Sequence, residues 1–297
     1  MRPLTPDYPL ETLTTLNMQE MLRAFKLESQ RGVRWLAQRG LYALVQQLSS
    51  VALAYDARVG QEGLSAASAW LMTQVTGGVH ALGRENIPAG GPLLVVSNHP
   101  GLTDAMAIFA TLGRDDLRIV AADRGILRLL PNIERYLIYV PDNTDQHITI
   151  MRSAAQHLRA GGALLTFPYG AIERDPALYP DAGETLAAWS RSSEVLARLV
   201  PELNVLPVLT SGVLSPAALR NPITRLYRAG KERDWAAASL QFLLRRYQDN
   251  LVHVTYGRPI CGADHHHEAV LNQMRDMMRQ TPRHVEMLAL RYPAFPL

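Results

Sequence analysis

The chain has 297 residues, of which 47% are hydrophobic and 19% charged, which suits one large domain, or one domain with a helical appendage, around a sizeable core. Its 30 basic and 27 acidic residues leave a formal net charge of only +3, whereas an ordinary nucleic-acid-binding protein carries a denser basic surface. The single cysteine, Cys261, excludes an internal disulfide framework and a multi-cysteine metal site.

Residues 1–76 are predicted to form a helical N-terminal region. Thr14 or Thr15 can cap a first helix, because apolar residues follow at three- to four-residue spacing. Two more helices are predicted over 31–50 and 64–75. The glycines that punctuate these helices are Gly32, Gly40, Gly60 and Gly63.

Two roles are open for the segment 16–50, in which arginines and Trp35 lie among apolar residues. The helices can lie on an anionic membrane surface with their apolar residues inserted. Alternatively, their apolar stripes pack on the rest of the protein or on each other.

Residues 77–297 show a different pattern, in which short apolar runs bounded by Gly, Pro or Asn alternate with helical stretches. This pattern predicts an α/β domain with a mostly parallel central sheet covered by helices on both faces. The predicted strands are Leu93–Val96, Leu117–Ala121, Leu137–Val140, Ala163–Phe167, Val205–Leu209 and Leu251–Tyr256. The predicted helices are 103–112, 145–160, 184–199, 234–249 and 267–290.

The strongest candidate for chemistry is the pair His99 and Asp104. His99 follows a buried strand, and Asp104 falls in the first turn of the next helix. Ligands of α/β folds bind at the carboxyl edge of the sheet, where this turn lies. A carboxylate that holds a histidine in one tautomer and raises its pKa can make the ring a general base. From the spacing alone, a turn that His99 and Asp104 merely cap is an equally good interpretation.

Residues 79–104, VHALGRENIPAGGPLLVVSNHPGLTD, closely resemble the start of the glycerolipid acyltransferase domain of the lysophosphatidate acyltransferase family. In that family a buried strand leads into N-H-x-x-x-x-D, and the resemblance continues in the family's order to about residue 290. The later segments that carry it are Leu137–Val140 with Pro141-Asp142-Asn143, Leu158–Gly170, Val205–Leu209 and Val252–Ile260.

The resemblance implies a 1-acylglycerol-3-phosphate O-acyltransferase-like enzyme. Such an enzyme moves a fatty acyl group from acyl-CoA or acyl-carrier protein to a hydroxyl of a lysophospholipid-like or other lipid acceptor. In the family the motif His is the base and the motif Asp orients it, which here are His99 and Asp104. The resemblance implies no metal or prosthetic group. The acyl thioester is a co-substrate. Backbone N–H groups near Gly170 are the hypothesised donors for the oxyanion.

Further substrate-binding residues follow from the resemblance and from its departures. The third block reads FPYGAI where the family has F-P-E-G-T-R, so Tyr169 replaces a glutamate, and the second block lacks its arginine. A phosphate site without that arginine loses a bidentate charged contact, so the acceptor is open. Tyr169 is a candidate acceptor contact, and Arg124, Arg135 or Arg174 can replace the missing arginine. The other residues expected around the substrate are Asn98, Gly101, Phe167, Pro168 and Gly170.

Other features favour ordinary structural roles. His265-His266-His267-Glu268 suggests a metal site, but a solvated turn before the last helix is the better interpretation because adjacent residues cannot all converge on one ion. The charges of Glu173-Arg174-Asp175 and of 181–184 are interpreted as solvated loop charges, and Trp70, Trp189 and Trp235 as core residues.

Two other function classes stay open. The same dyad can serve a thioesterase-like hydrolase that releases free fatty acid, and a non-catalytic lipid-binding descendant would retain the fold alone. The N-terminal residues have prolines and acidic residues where a signal peptide needs an apolar core, and no long apolar window predicts a transmembrane helix. We therefore expect a cytoplasmic protein, peripheral to the inner face of the cell membrane, that does not bind nucleic acid.

Overall fold

The computed structural model describes residues 8–27, 31–140, 147–261 and 267–291. Its helices are α1 (Tyr8–Ala24), α2 (Arg31–Glu62), α3 (Leu64–Val75), α4 (Asp104–Leu112), α5 (Pro131–Glu134), α6 (His147–Arg159), α7 (Ser192–Leu199), α8 (Pro216–Arg220), α9 (Pro222–Arg225), α10 (Lys231–Leu243) and α11 (His267–Arg291). Its strands are β1 (Gly78–Leu82), β2 (Leu93–Ser97), β3 (Leu117–Ala122), β4 (Leu137–Val140), β5 (Ala163–Thr166), β6 (Asn204–Ser211), β7 (Leu251–Tyr256) and β8 (Ile260–Cys261).

The described strands form one sheet in the order β1-β7-β6-β2-β5-β3-β4, with β8 paired to β6. The pairs of β6 with β7 and with β8 are antiparallel, and the other described pairs are parallel. Because β2 lies between β5 and β6, the carboxyl ends of these three strands meet at the middle of one edge.

Helices cover both faces of the sheet, which confirms the predicted α/β class. Leu93 and Val95 of β2 face a core that also contains residues of α2, α3 and α4. Leu94 and Val96 face the opposite core, which contains residues of α6, α7 and α11. This alternation follows from the period of two along a strand. Burial on both faces explains why the strands are continuously apolar rather than alternating.

The N-terminal helices share their core with the sheet. Tyr55 and Val59 of α2 and Leu71 of α3 are buried in the same cluster as the strand residues. Much of the apolar stripe of α1 is buried in a third cluster with α2 and α10, where Met18 and Phe25 are members. These contacts show that the buried apolar residues of the N-terminal helices pack on the rest of the protein and on each other. The domain boundary at residue 76 stays a prediction.

Some element bounds differ from the predicted ones. The first helix begins at Tyr8, and the prediction of a cap at Thr14 or Thr15 was wrong, because the Thr14 hydroxyl bonds the Leu10 carbonyl four residues back at 2.7 Å. The second helix runs through Gly60, where an added Cβ would come within 2.8 Å of the Asn132 side chain. Gly60 thus permits a close helix contact instead of ending the helix.

The predicted helix over 184–199 is two elements, a 3-10 turn (Ala182–Ala188) and α7. The chain is extended at Trp189, and the Ser190 N–H donates to the Pro168 carbonyl at 3.0 Å. This hydrogen bond holds the chain where it leaves the 3-10 turn. The helical periodicity of the sequence gives no sign of it.

Several predictions fall on residues outside the described ranges, namely those on Pro141-Asp142-Asn143 and on His265 and His266. Of the described helices, none combines the length and apolar character needed to cross a membrane.

A carboxylate links the helical region to the α/β domain. Asp56 of α2 is buried and accepts hydrogen bonds from the backbone N–H groups of Asn132 and Ile133 in α5, each at 2.9 Å. The first N–H groups of a helix have no partner within it, so Asp56 caps α5 from a distant element.

We expect Asp56→Ala to lower the free energy of unfolding by about 3 kcal/mol, because it leaves two N–H groups without an acceptor. Urea unfolding measures the change. Asp115→Ala, at an exposed aspartate, is the matched control and should change stability by less than about 0.5 kcal/mol. Equal stability of the two variants would contradict the role of Asp56.

Candidate active site

The candidate site lies at the carboxyl edge of the sheet, where β2, β5 and β6 end side by side. Asn98 and His99 follow β2, and a tight turn leads to Asp104 at the start of α4. The segment after β5 contributes Phe167 and Glu173. The edge predicted from the strand pattern is therefore the one at which these side chains meet.

His99 and Asp104 are hydrogen-bonded, with 2.7 Å between Nδ1 and Oδ2. The Asp104 side chain is 1% exposed and the His99 side chain 27%. Since a carboxylate only accepts hydrogen bonds, Nδ1 of His99 donates, and the neutral ring carries its lone pair on Nε2. In this geometry Nε2 of His99 is able to accept a proton.

Two backbone groups hold the Asp104 carboxylate in place. The Gly101 N–H donates to Oδ2 at 3.1 Å, and the Ala105 N–H donates to Oδ1 at 2.7 Å. A Cβ on Gly101 would lie 2.6 Å from Cγ1 of Val213. Gly101 therefore lets the turn pass close to Val213 while its N–H reaches Asp104.

Asn98 holds the residues after β2 against β6 through hydrogen bonds. Its side chain is fully buried, donates from Nδ2 to the Thr210 carbonyl at 2.9 Å and accepts from the Thr210 N–H at 2.8 Å. Asn98 thus continues the pairing of β2 with β6 beyond the last strand residue. A direct contact between its amide and a substrate would first require this pairing to break.

Phe167 stacks on His99, with 4.4 Å between the ring centroids and 20° between the planes. After it, the Gly170 N–H donates to the Phe167 carbonyl at 3.0 Å, and Gly170 has a φ of 71°, a left-handed conformation that favours glycine. The Gly170 N–H is therefore used within the turn. A donor for an oxyanion would have to come from another N–H nearby.

Glu173 joins the segment after β5 to the His99 loop. Its Oε2 accepts from the His99 N–H at 2.9 Å, and its own N–H donates to the His99 carbonyl at 2.8 Å. Its Oε1 accepts from the Thr185 hydroxyl at 2.7 Å and from Nε1 of Trp189 at 2.9 Å. Glu173 is 4% exposed, so the backbone of His99 is fixed by a buried carboxylate.

The interpretation of Glu173 and Asp175 as solvated charges was wrong. Asp175 is 1% exposed and accepts from the N–H groups of Gly212 and Leu214, at 2.9 and 3.0 Å, in the loop after β6. The signal that could have found both residues is their position just after a strand end at the functional edge. Charge alone does not separate a buried acceptor from a solvated one.

The pKa of His99 lies above its ordinary value. Burial of the ring by itself lowers this pKa, but the charge of Asp104, the hydrogen bond to it and the charge of Glu173 raise it, while Arg124 opposes them. Burial in turn raises the pKa of Glu173, and its hydrogen-bond donors counter that effect. The two groups are therefore electrostatically linked as well as hydrogen-bonded.

Two of the three arginines predicted to replace the missing one, Arg124 and Arg174, lie in different surroundings. Arg124, just after β3, is 57% exposed and lies 3.6 Å from Glu20. It lines a cavity of about 290 Å³ between α1 and the loop after β3, and its charge acts on His99. Arg174 instead pairs with Asp181, and its guanidinium lies 5.2 Å from the ring of Tyr179.

Tyr169 contacts the side chain of Lys231, a residue to which no sequence motif points. Nζ of Lys231, at the start of α10, lies 2.8 Å from the Tyr169 hydroxyl and 4.7 Å from the ring centroid. Lys231 is exposed, so a positive charge stands at the position where the resemblance expects an acceptor contact.

The sequence comparisons match these observations. Residues 78–210 match the model of the family described as Acyltransferase. This matched stretch, just under half of the chain, is similar to that family. The match supports an acyltransferase, and the matched region holds the sheet from β1 almost to the end of β6, with His99, Asp104 and Glu173.

Among solved structures, that of the 1-acyl-sn-glycerophosphate (LPA) acyltransferase PlsC from Thermotoga maritima is similar to that of this chain. The TM-score is 0.45 and the sequence identity 16%, over 92% of this chain and 94% of that chain. No curated protein sequence gives a significant match to the chain.

Within its described residues, the chain has no group of three His, Cys, Asp or Glu side chains that could hold a metal ion. His267 begins α11, and its N–H donates to Oε1 of Glu194 at 3.0 Å. Cys261 is an exposed thiol on β8.

We expect Glu173→Gln to move the acidic limb of the pH–activity profile to lower pH. A general base acts as the neutral ring, so activity falls as the pH drops through the pKa of His99. Removing the Glu173 charge removes one of the causes that raise this pKa.

The measurement is acyl transfer as a function of pH, with Glu184→Gln as the matched control because that glutamate is exposed in the same loop. Its acidic limb should stay at the wild-type position. An unmoved limb in Glu173→Gln would show that Glu173 has a structural role only.

Proposed function

We propose that this protein moves a fatty acyl group from an acyl thioester, acyl-CoA or acyl-carrier protein, to a hydroxyl of a lysophospholipid-like or other lipid acceptor. The observation that carries the proposal is the 2.7 Å hydrogen bond between Nδ1 of His99 and Asp104. In this arrangement Nε2 is the base and Asp104 orients the ring.

In the proposed reaction, Nε2 of His99 takes the proton of the acceptor hydroxyl. The acceptor oxygen attacks the thioester carbonyl carbon and forms a tetrahedral oxyanion. When that intermediate collapses, the C–S bond breaks, and the thiolate takes the proton from the imidazolium. Asp104 stabilises the imidazolium between the two transfers, and Phe167 keeps one face of the ring from water.

On the acceptor side, the proposal places Arg124 at the anionic part of the lipid. Three observations support it over Arg174: its charge reaches His99, it lines a cavity, and its nearest carboxylate is 3.6 Å away. Tyr169, with Lys231 beside it, is proposed as a second acceptor contact. Because the acceptor is a lipid, we infer that the enzyme works at the inner face of the cell membrane.

We expect His99→Ala and Asp104→Asn each to lower acyl transfer by about 10²- to 10⁴-fold, the usual contribution of a general base. The assay uses labelled acyl-CoA and acyl-carrier protein with lysophosphatidate, other lysolipids, amino-acid lipids and glycols as acceptors. Asp115→Asn is the control, and urea unfolding checks that each variant is folded.

A His99-dependent acylated product establishes the reaction and identifies the acceptor. Free fatty acid without an acylated acceptor would favour the thioesterase-like hydrolase. Donor binding without turnover in the wild-type protein would favour the non-catalytic lipid-binding class. Near wild-type transfer by either dyad variant would refute the mechanism.

Arg124→Gln should raise the KM for phosphorylated acceptors about 10- to 100-fold, because a hydrogen bond between charged groups contributes roughly 1.5–3 kcal/mol. Neutral acceptors should be used as before. Losing the positive charge also raises the pKa of His99, so the acidic limb of the pH profile should move to higher pH.

Arg135→Gln and Arg174→Gln are the comparison variants, since sequence alone did not separate these three arginines. Both should leave the acceptor KM within about twofold of wild type. If Arg174→Gln rather than Arg124→Gln raises the KM, the assignment of Arg124 to the anionic part of the acceptor is wrong.

A further inference from the structure

The segment between β6 and α10 carries exposed apolar and basic side chains together. We call the five residues Arg220, Ile223, Arg225, Leu226 and Arg228 the α8–α9 tip. Leu226 is 85% exposed and Ile223 50%, and all three arginines are exposed. Exposed apolar side chains that lie together and are rimmed by polar residues can mark a protein or membrane contact surface.

The backbone of the tip is held by its polar and aromatic neighbours. Asn221 accepts from the Ile223 N–H at 2.8 Å and donates from Nδ2 to the Tyr247 hydroxyl at 2.6 Å. Thr224 is fully buried and bonds the Ala218 carbonyl at 2.9 Å. Tyr227 donates to the Phe25 carbonyl at 2.7 Å. These bonds turn Thr224 and Tyr227 toward the protein and leave Ile223 and Leu226 outside.

The charge of the tip has one sign. From Pro216 to Lys231 the sequence has four basic residues, Arg220, Arg225, Arg228 and Lys231, and no acidic one. None of the three tip arginines forms an ion pair with a carboxylate of the described residues. The nearest acidic residue along the chain, Glu232, pairs with Lys26 at 2.8 Å. An anionic partner therefore meets no opposing charge within this segment.

The tip belongs to the same end of the molecule as the dyad. Its supporting residues Leu219 and Tyr227 pack in the third cluster, which also contains Leu102 of the His99 turn. At the end of the segment, Lys231 contacts Tyr169, two residues after Phe167. A surface that met the tip would thus lie near the turn that carries His99 and near Tyr169.

We propose that the α8–α9 tip docks the enzyme on an anionic lipid bilayer, with Ile223 and Leu226 inserted among the lipids and the arginines on the headgroups. Apolar residues flanked by arginine are the combination that binds such an interface. The proposal rests on the proposed function only in that the site takes its acceptor from a membrane. It differs from the contact predicted for the helices in residues 16–50.

The test is co-sedimentation of the purified full chain with vesicles of phosphatidylcholine alone and of phosphatidylcholine with phosphatidylglycerol. The wild type should bind the anionic vesicles. Ile223→Ser with Leu226→Ser should weaken that binding at least about tenfold, because the inserted area is lost. Neutralising Arg220, Arg225 and Arg228 with glutamine should weaken it about fivefold per arginine, and high salt should do the same.

Matched controls come from α7 on the opposite core. Val195 and Leu199 are 45% and 38% exposed, and Arg198 is exposed. Val195→Ser with Leu199→Ser, and Arg198→Gln, should bind vesicles like the wild type. His99→Ala should also bind normally, so failure of the proposed chemistry and failure of docking are separate results. Turnover of a water-soluble short-chain acceptor should be unchanged in the tip variants.

Three results would overturn the proposal. In the first, both sets of tip variants bind anionic vesicles as well as the wild type. In the second, Trp35→Ser with Tyr42→Ser, at the exposed aromatic residues of α2, abolishes binding while the tip variants keep it. In the third, the tip variants bind vesicles normally but lose turnover with acyl-carrier protein as donor, which would make the tip a protein-docking site.

Discussion

The hydrogen bond between His99 and Asp104 is the interaction on which the rest of the site depends. It selects the tautomer of the ring and leaves Nε2 as the basic atom. The bond is possible only because a sharp turn brings the start of α4 back to the end of β2. Asn98 fixes the strand end against β6, and Gly101 lets the turn pass Val213 while donating to Asp104. The chemistry therefore rests on the backbone path over a few residues.

Buried carboxylates are the means by which this edge of the sheet holds its loops. Asp104, Glu173 and Asp175 each accept backbone N–H groups from a loop that follows a strand. Each of these carboxylates is costly to bury without donors, because an unpaired buried charge is strongly destabilising. Placed against N–H groups, Glu173 and Asp175 tie together loops that are far apart in sequence, whereas Asp104 fixes the turn in which it lies. For Glu173 the same placement brings a negative charge to the His99 ring and raises its pKa.

The N-terminal helices illustrate how packing decides between two uses of an amphipathic helix. The apolar residues of α1, such as Met21 and Leu22, are buried against α2 and α10, and Tyr55 of α2 belongs to the sheet core. Side chains buried in this way are not available to a bilayer. Among the described residues, the large apolar side chains that are exposed lie elsewhere, at Trp35 and Tyr42 on α2, at Val195 and Leu199 on α7, at Ile223 in α9 and at Leu226 just after it.

The sequence by itself determined the α/β class, six strands and the position of the dyad. A run of apolar residues of strand length, and a histidine just after such a run, are local features. They can be read from the sequence without knowing which distant residues they contact. Two strands, Leu137–Val140 and Leu251–Tyr256, coincide with their predicted bounds. Only the tertiary structure decided three long-range interactions. Glu173 accepts a hydrogen bond from the His99 backbone, and the charge of Arg124 rather than that of Arg174 acts on the His99 ring. Lys231 contacts Tyr169. These contacts join residues up to 74 positions apart. Their energies depend on distance and burial, which no local pattern encodes.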